Sequence, residues 1–186
     1  MVPLSHLWLP ILLSAVLVFL ASSLIHMVVK WHASDYRALP QEAAVREALR
    51  GADLPPGQYV IPHCADMKDM ASEAMRRKYE EGPVGLLMLS PSRVPNLGAS
   101  LGQWFLYTVL VGFMVAYLAS RNFGPTAHYL KVFRLVGAAA FLTYAGGAIP
   151  QAIWYGKPWR MVAKDLADGL LYGLVTAGTF GWLWPR

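Results

Sequence analysis

The chain has 186 residues, of which 56% are hydrophobic and 15% are charged, and its formal net charge is +5 at pH 7. Soluble domains carry about a quarter charged residues, so this composition indicates a membrane protein. The basic residues are spread along the polar segments instead of forming one patch, which argues against nucleic-acid binding. Cys64 is the single cysteine, so an intrachain disulfide is impossible.

The first predicted element is a transmembrane helix at residues 7–29, within a first segment that covers residues 1–29. The run contains no Lys, Arg, Asp or Glu. At about 1.5 Å per residue it can cross a hydrocarbon core of roughly 30 Å. No Lys or Arg precedes Lys30, so the run lacks the basic region of a signal peptide. We therefore expect an uncleaved membrane anchor.

A polar insert follows at residues 30–97, and its pattern predicts a small α/β module. The predicted elements are a helix over 40–50, a strand at 58–61, a helix over 66–79 and a strand at 84–89, each bounded by Pro or Gly. Because a helix joins the two strands, we expect a right-handed β-α-β crossover, in which the strands are parallel.

Three further apolar runs predict transmembrane helices within residues 98–186, at about 101–120, 132–154 and 166–184. Pro150, which follows Gly146 and Gly147, is expected to kink the third of the four spans near its end. The seven tryptophans lie near predicted span ends, as in an aromatic belt. The predicted fold class is therefore mainly α: a four-helix transmembrane bundle with an α/β insert between helices 1 and 2.

The last predicted span carries a regular pattern of small residues. Gly169, Gly173, Ala177 and Gly181 recur at every fourth position. This spacing forms a ridge along which another helix backbone can approach closely. We predict helix packing at this ridge, either against another helix of the bundle or against a second subunit.

The most chemically distinctive run of the insert lies at residues 63–70. His63 is a nitrogen donor, and Cys64, Met67 and Met70 are soft sulfur donors, a set that suits copper(I). The alternative is ordinary packing, because methionines at this spacing also form the buried stripe of an amphipathic helix. Both roles stay open at this stage, and no other cofactor is predicted.

A second group of polar residues lies where the first span ends, at His26, His32 and Asp35. On a continuous helix His26 and His32 are about 9 Å apart along the axis and on different sides, so one metal ion could bind both only across a break. Asp35 is spaced to orient the His32 imidazole for proton transfer or ligation. The alternative is that His32 and its basic and aromatic neighbours anchor the helix end at the membrane interface.

Asp168 lies about one turn inside the last span. A carboxylate there stabilises the positive end of the helix dipole and could pair with Lys164, Lys157 or Arg160. The alternative is a proton or ion site shared with His26, which is itself an ionisable residue inside an apolar run.

Three stretches, residues 23–40, 56–63 and 168–185, resemble uncharacterised bacterial integral membrane proteins. The resemblance implies a bacterial inner-membrane location. It implies no activity, so no functional residue is carried over from it.

Three functions are compatible with these patterns. The first is a non-enzymatic accessory, assembly or structural component that binds a membrane partner or a second copy of itself through the insert. The second is copper or other metal handling at His63, Cys64, Met67 and Met70, and the third is a small proton-linked carrier that uses His26 and Asp168. The motifs GxSxG, HExxH, GxGxxG and CxxCH do not occur in the sequence, so no enzyme class is predicted. The Lys and Arg residues of the short loops favour an external insert.

Overall fold

The computed structural model describes residues 1–185, which divide into two compact units. The first unit combines Met1–Tyr36 with the segment that begins at Asn96, and the second unit is Arg37–Pro95. The second unit is therefore smaller than the predicted insert, since residues 30–36 belong with the long helices.

The helices and strands are as follows in chain order. The helices are α1 (Trp8–Ser23), α2 (Glu42–Gly51), α3 (Glu73–Glu81), α4 (Leu97–Asn122), α5 (Tyr129–Ala145), α6 (Ala148–Tyr155) and α7 (Trp159–Trp182). The strands are β1 (Gly57–Ile61) and β2 (Gly85–Leu89). The long helices all belong to the first unit, and the small sheet belongs to the second.

Three helical segments of the first unit are long and apolar enough to cross a membrane, at Leu4–Val29, Leu97–Asn122 and Tyr129–Tyr155. The protein is thus a mainly helical membrane protein with three candidate spans. α7 is also long, but Asp168 and several glycines and threonines make it less apolar. A fourth span at α7 stays a prediction.

The third candidate span is interrupted at Gly146 and Gly147. α5 ends just before this pair and α6 begins just after it. Pro150 lies four residues after Gly146, so in a continuous helix it could not donate to the Gly146 carbonyl and its ring would clash with that carbonyl. The interruption one turn before Pro150 therefore agrees with the predicted kink, and the two glycines, which are weak helix formers, favour it further.

The most extensive helix contact in the protein is between α5 and α7, and α1 packs against both α4 and α7. A Cβ added at Gly169 would lie 2.5 Å from the Cβ of Ala145, and one added at Gly173 would lie 3.2–3.3 Å from backbone atoms of α5. Ala177 and Gly181 contact α5 further along the same face. The small residues of α7 thus allow the two helices to approach at backbone distance.

The core of the first unit runs between these helices. Its fully buried side chains include Leu7, Val18, Val111, Val136 and Phe180. The outer faces of the same helices are also apolar and include the exposed residues Leu20, Leu106, Leu110 and Leu142. A buried core combined with an apolar outer surface is the pattern expected for helices that contact lipid.

The two strands of the second unit are antiparallel, so the predicted β-α-β crossover is wrong. Gly57 of β1 lies opposite Leu89 of β2, and Ile61 lies opposite Gly85. Antiparallel strands need no crossover and can be joined by a connection that returns along the same edge.

The connection between the strands explains the difference. In place of the single helix predicted at 66–79, a 3₁₀ helix at Met67–Ala71 is followed by α3. Ser72 separates them in an extended conformation, and its side chain caps α3 by accepting a hydrogen bond from the Met75 amide at 3.2 Å. Two short helices joined by an extended residue form a bent connection, which returns the chain beside β1 in the opposite direction.

Candidate functional site

The first span ends in an irregular segment, residues 24–35, which we call the exit turn. A π-helical turn at Leu24–Val29 follows α1, Lys30 has a left-handed conformation with φ 55° and ψ 27°, and a 3₁₀ helix follows at Trp31–Asp35. The Lys30 amide donates to the Ile25 carbonyl at 2.9 Å, which closes the wide turn. A lysine in the left-handed region is uncommon, and π-helical turns occur frequently at functional sites.

The exit turn brings His26 and His32 together. Their ring centroids are 4.8 Å apart. The expectation that they lie on different sides is wrong, because it assumed an unbroken helix. The side chain of His32 is only 15% exposed, whereas that of His26 is 51% exposed.

Asp168 of α7 joins the two histidines. Its Oδ2 atom lies 2.9 Å from Nε2 of His32 and 3.7 Å from Nε2 of His26. Its Oδ1 atom is buried and has no hydrogen-bond partner within residues 1–185. One nitrogen from each histidine and one carboxylate oxygen lie within 4.8 Å of one another. We call these three residues the His–His–Asp cluster.

Asp35 contacts the opposite edge of the His32 ring. Its Oδ2 atom lies 2.9 Å from Nδ1 of His32, and its Oδ1 atom accepts a hydrogen bond from Lys164 at 2.7 Å. The hydrogen bond from Lys164 is the largest cause that holds the pKa of Asp35 below its ordinary value. Lys164 also donates to the Trp31 carbonyl at 2.6 Å and to the Ser34 hydroxyl at 3.0 Å. Lys164 of α7 thereby stabilises the exit turn through hydrogen bonds to three of its acceptor atoms.

Two of the three cations that the sequence suggested as partners of Asp168 are engaged elsewhere, and the third, Arg160, is exposed. Lys164 is paired with Asp35, and Lys157 is paired with Asp165. Lys164 extends away from Asp168 because the exit turn offers it a carboxylate, a carbonyl and a hydroxyl. Asp168 therefore contacts the two histidines in place of these lysines.

His32 has a carboxylate oxygen at 2.9 Å from each of its ring nitrogens. An ionised carboxylate only accepts hydrogen bonds, and a neutral imidazole has a single N–H. Both contacts can be satisfied only if the group holds one additional proton, on His32 or on one of the two carboxyl groups, or if another cation takes the place of that proton. With His32 protonated, the charges of Asp35, Asp168, Lys164 and His32 cancel. The site is therefore suited to hold one further cation, either a proton or a metal ion.

A cavity of about 700 Å³ lies beside the His–His–Asp cluster within the helical unit. Its lining includes His26, Leu101, Trp104, Tyr144, Asp168 and Tyr172. Small-molecule sites are typically cavities of roughly 300–1,000 Å³ with mostly apolar walls and a few polar groups. The cavity has this size and character.

Aromatic residues form one wall of the cavity. The ring centroid of Trp104 lies 6.3 Å from that of Tyr144 and 6.1 Å from that of Tyr172, and its indole N–H donates to the Ser22 hydroxyl at 2.8 Å. The Tyr172 hydroxyl is buried and has no partner in the described part of the chain. Because Asp168 and Tyr172 are four residues apart, they share one face of α7.

Comparison with known proteins gives no guide to function. No family model, curated protein or solved structure matches the chain. The functional argument therefore depends on the side chains of the cluster and the cavity.

The predicted copper ligands all lie in the second unit. His63 is exposed, Cys64 is half-buried with its thiol donating to a backbone carbonyl at 3.0 Å, and Met67 and Met70 are 76% and 39% exposed. Copper binding at these four residues stays a prediction. Among the His, Cys, Asp and Glu side chains of residues 1–185, those of the His–His–Asp cluster lie close enough together to hold a metal ion.

Sequence reasoning missed the roles of Lys164 in orienting Asp35 and of Tyr172 in the cavity. One signal was present in the sequence. Lys164, Asp168 and Tyr172 are spaced four residues apart along α7, so they form a polar line on one face of an otherwise apolar helix. The roles of these residues are visible only in the structure, where the exit turn contacts Lys164 and Asp168.

Proposed function

We propose that this protein is an integral membrane protein that binds a divalent transition-metal ion at His26, His32 and Asp168, beside a cavity that receives a small ligand. The observation that carries the proposal is that three ligand atoms, from the exit turn and from α7, lie within 4.8 Å of one another. Two imidazoles and one carboxylate are a familiar ligand set for Zn²⁺ and Fe²⁺ that leaves a coordination position open for water or a ligand.

The contact between Asp35 and His32 supports the proposal. Histidines that bind a metal almost always donate their other ring N–H to a carboxylate, a carbonyl or water, which fixes the tautomer and orients the ring. Asp35 lies 2.9 Å from Nδ1 of His32, which leaves Nε2 for the ion. Lys164 holds Asp35 in turn, so the ring is oriented through two successive contacts.

The location of the cluster also supports a role in ligand binding. His26 and Asp168 are part of the cavity wall, so an ion between them is accessible from the cavity. Most of the exposed wall of the cavity is apolar, and a less polar environment than water strengthens electrostatic interactions at the ion. The predicted accessory role of the insert, through a protein partner or a second copy, is compatible with this site because the site lies entirely in the helical unit.

A second candidate function, a proton-linked carrier, is supported by a different observation. Nε2 of His32 lies directly against Oδ2 of Asp168 at 2.9 Å, and one proton on His32 balances the local charges without a metal ion. His26 lies 3.7 Å from the same carboxylate oxygen, so a proton could pass between the two rings through Asp168.

Metal content distinguishes the two candidates. Protein purified from cells grown with added zinc and iron, then dialysed, is analysed by inductively coupled plasma mass spectrometry. We expect about one ion per chain, reduced to background in His32→Ala and Asp168→Asn. His6→Ala, which removes an exposed histidine of the same unit, is the matched control and retains the ion. Asp35→Asn is expected to weaken metal affinity by about 10–100-fold.

Folded wild-type protein with no more zinc or iron than His32→Ala would overturn the metal proposal. The carrier is then tested in proteoliposomes that contain a pH indicator, where wild type should dissipate an imposed pH gradient faster than Asp168→Asn. Equal rates would exclude the carrier. Copper that persists in His32→Ala and is lost in Cys64→Ala would instead support the site predicted in the insert.

A further inference from the structure

An apolar groove lies on the outer surface of the helical unit, between α5 and α7. Its volume is about 240 Å³. Its α5 side extends from Phe133 to Phe141, which is about 12 Å along the helix. On the α7 side, Leu170 and Leu174 are 50% and 46% exposed. A groove of this length and volume is narrow, so it fits one linear hydrocarbon chain better than a compact molecule.

Two glycines form the floor of the groove. A Cβ added at Gly137 would lie 3.1 Å from the Cβ of Ala177, and one added at Gly173 would lie 3.2 Å from the Phe141 amide nitrogen. The glycines therefore lie where the two helices meet, and larger side chains stand on either side of them. Because α5 belongs to the candidate span Tyr129–Tyr155, the apolar molecules that contact this surface are the acyl chains of the bilayer.

Arg134 is the single charged residue among those that line the groove. It is exposed, and Lys131, one turn earlier, is exposed on the same side of α5. Arg134 lies five residues after the start of α5, about 7.5 Å along the helix. From that depth a long basic side chain extends to the membrane interface. The two cations therefore lie at the end of the groove that is nearest the bilayer surface.

The acidic side chains of the helical unit lie at its opposite end. Residues 82–164 contain no Asp or Glu. The acidic residues of the unit are Asp35, Asp165 and Asp168. Each of them is paired with a lysine or a histidine at the exit-turn end.

The pairing of α5 with α7 gives the separation of these charges. Gly137 lies opposite Ala177, which is nine residues beyond Asp168, and Arg134 is three residues further along. At about 1.5 Å per residue, Arg134 and Asp168 are roughly 18 Å apart along the helix axes. Within the described helical unit, no acidic side chain is therefore close enough to neutralise the cations of the groove.

We infer that the groove binds an anionic phospholipid. The phosphate of the head group contacts Arg134 and Lys131, and one acyl chain lies in the groove against Phe141 and Leu174. Basic side chains beside a cleft between membrane helices are typical of sites for anionic head groups. A guanidinium group can also donate two parallel hydrogen bonds to a phosphate. The site uses none of the residues of the His–His–Asp cluster, so it is independent of the proposed metal binding.

Photo-labelling tests the site on the full chain in phosphatidylcholine nanodiscs. The probe is phosphatidylglycerol with a diazirine on one acyl chain, and the matched probe is phosphatidylcholine with the same chain, added at the same fraction. Peptide mass spectrometry compares labelling at Phe141 and Leu174 with labelling at Leu20 and Leu106, which are exposed residues of α1 and α4. We expect this groove-to-control ratio to be about fivefold higher for phosphatidylglycerol.

Arg134→Gln tests the head-group contact, because it removes the charge at the groove and keeps a polar side chain at an exposed position. The ratio for phosphatidylglycerol should fall to near that for phosphatidylcholine. Arg121→Gln is the matched control. Arg121 is also exposed, but its guanidinium lies over the Tyr117 ring at 5.4 Å from the centroid, and its loss should leave the ratio unchanged.

Ala138→Leu tests the acyl-chain contact. Ala138 is exposed and lines the groove, so a leucine there narrows the groove and should lower labelling at Leu174 by both probes. Unchanged labelling at Leu174 would overturn the assignment. Equal groove-to-control ratios for the two probes, or no effect of Arg134→Gln, would mean that the net charge alone attracts the lipid and would also overturn it.

Discussion

Substitution of Gly169 by alanine is expected to destabilise the protein and to weaken the His–His–Asp cluster. The added Cβ would lie 2.5 Å from the Cβ of Ala145 and 3.2 Å from its Cα and amide nitrogen. Carbon atoms pack at about 3.5–4.0 Å, so α7 must move away from α5 by about 1 Å. Asp168 precedes Gly169 in the chain and would move with it, which changes its distances to His26 and His32.

The expected loss of stability follows from two opposing terms. Overpacking typically costs about 1–3 kcal/mol, and the upper end applies because the opposing atoms are a methyl group and helix backbone that cannot rotate away. Alanine is about 1 kcal/mol more favourable than glycine within a helix. The net loss is therefore about 2 kcal/mol, which lowers Tm by about 4–8 °C in a chain of this size.

Thermal unfolding followed by tryptophan fluorescence measures this effect. Gly102→Ala in α4 is the matched control, since an added Cβ there meets nothing within 4 Å, and its Tm should stay constant or rise. The double variant Gly169→Ala/Ala145→Gly should recover part of the lost stability, because the added Cβ at residue 169 then no longer meets the Cβ of Ala145. A Tm of Gly169→Ala at or above that of Gly102→Ala would refute the close approach of α5 and α7.

Two further predictions concern the exit turn. The lowered pKa of Asp35 means that its contribution to stability is present above its ordinary value near 3.8 and is lost as the pH falls through the folded-state pKa. The Tm difference between wild type and Asp35→Asn should therefore be largest near neutral pH and disappear in acid, and a constant difference would contradict this. Lys30→Val should lower Tm and reduce metal binding, because a β-branched residue is strained at φ 55°. Lys30→Asn should be tolerated, since asparagine adopts the left-handed conformation more readily. Equal Tm values for the two variants would argue against the left-handed turn.

Composition and apolar runs were sufficient to predict a mainly helical membrane protein, because length and hydropathy are the properties that a bilayer requires. The four-residue spacing of small residues on α7 predicted close helix packing, since only small side chains allow a backbone approach such as that of Gly169 to α5. The two strands of the sheet were predicted to be parallel, but they are antiparallel. Ser72 interrupts the connecting helix, and helix-forming composition alone does not reveal that interruption.

The candidate site was harder to predict because it depends on one backbone conformation. Lysine has no preference for the left-handed region, so nothing local indicates that the chain reverses at Lys30. Helical periodicity placed His26 and His32 apart, and the π-helical turn together with Lys30 places their rings 4.8 Å apart. Long-range contacts with Lys164 and Asp168 stabilise this conformation, and a single sequence does not encode such contacts in any local pattern.

The balance of satisfied and unsatisfied groups distinguishes a functional site from a structural ion-pair network. A network that only joined the exit turn to α7 would leave no buried acceptor or donor unpaired, because each such group is costly. Asp35 and Lys164 meet that condition, since their polar atoms contact one another, His32 and the exit-turn backbone. Asp168 and Tyr172 do not, and their two unpaired atoms belong to residues that line the cavity. The polar face of α7 therefore has two parts: Lys164 holds the exit turn in place, and Asp168 is the residue that would bind the metal ion under the proposed function.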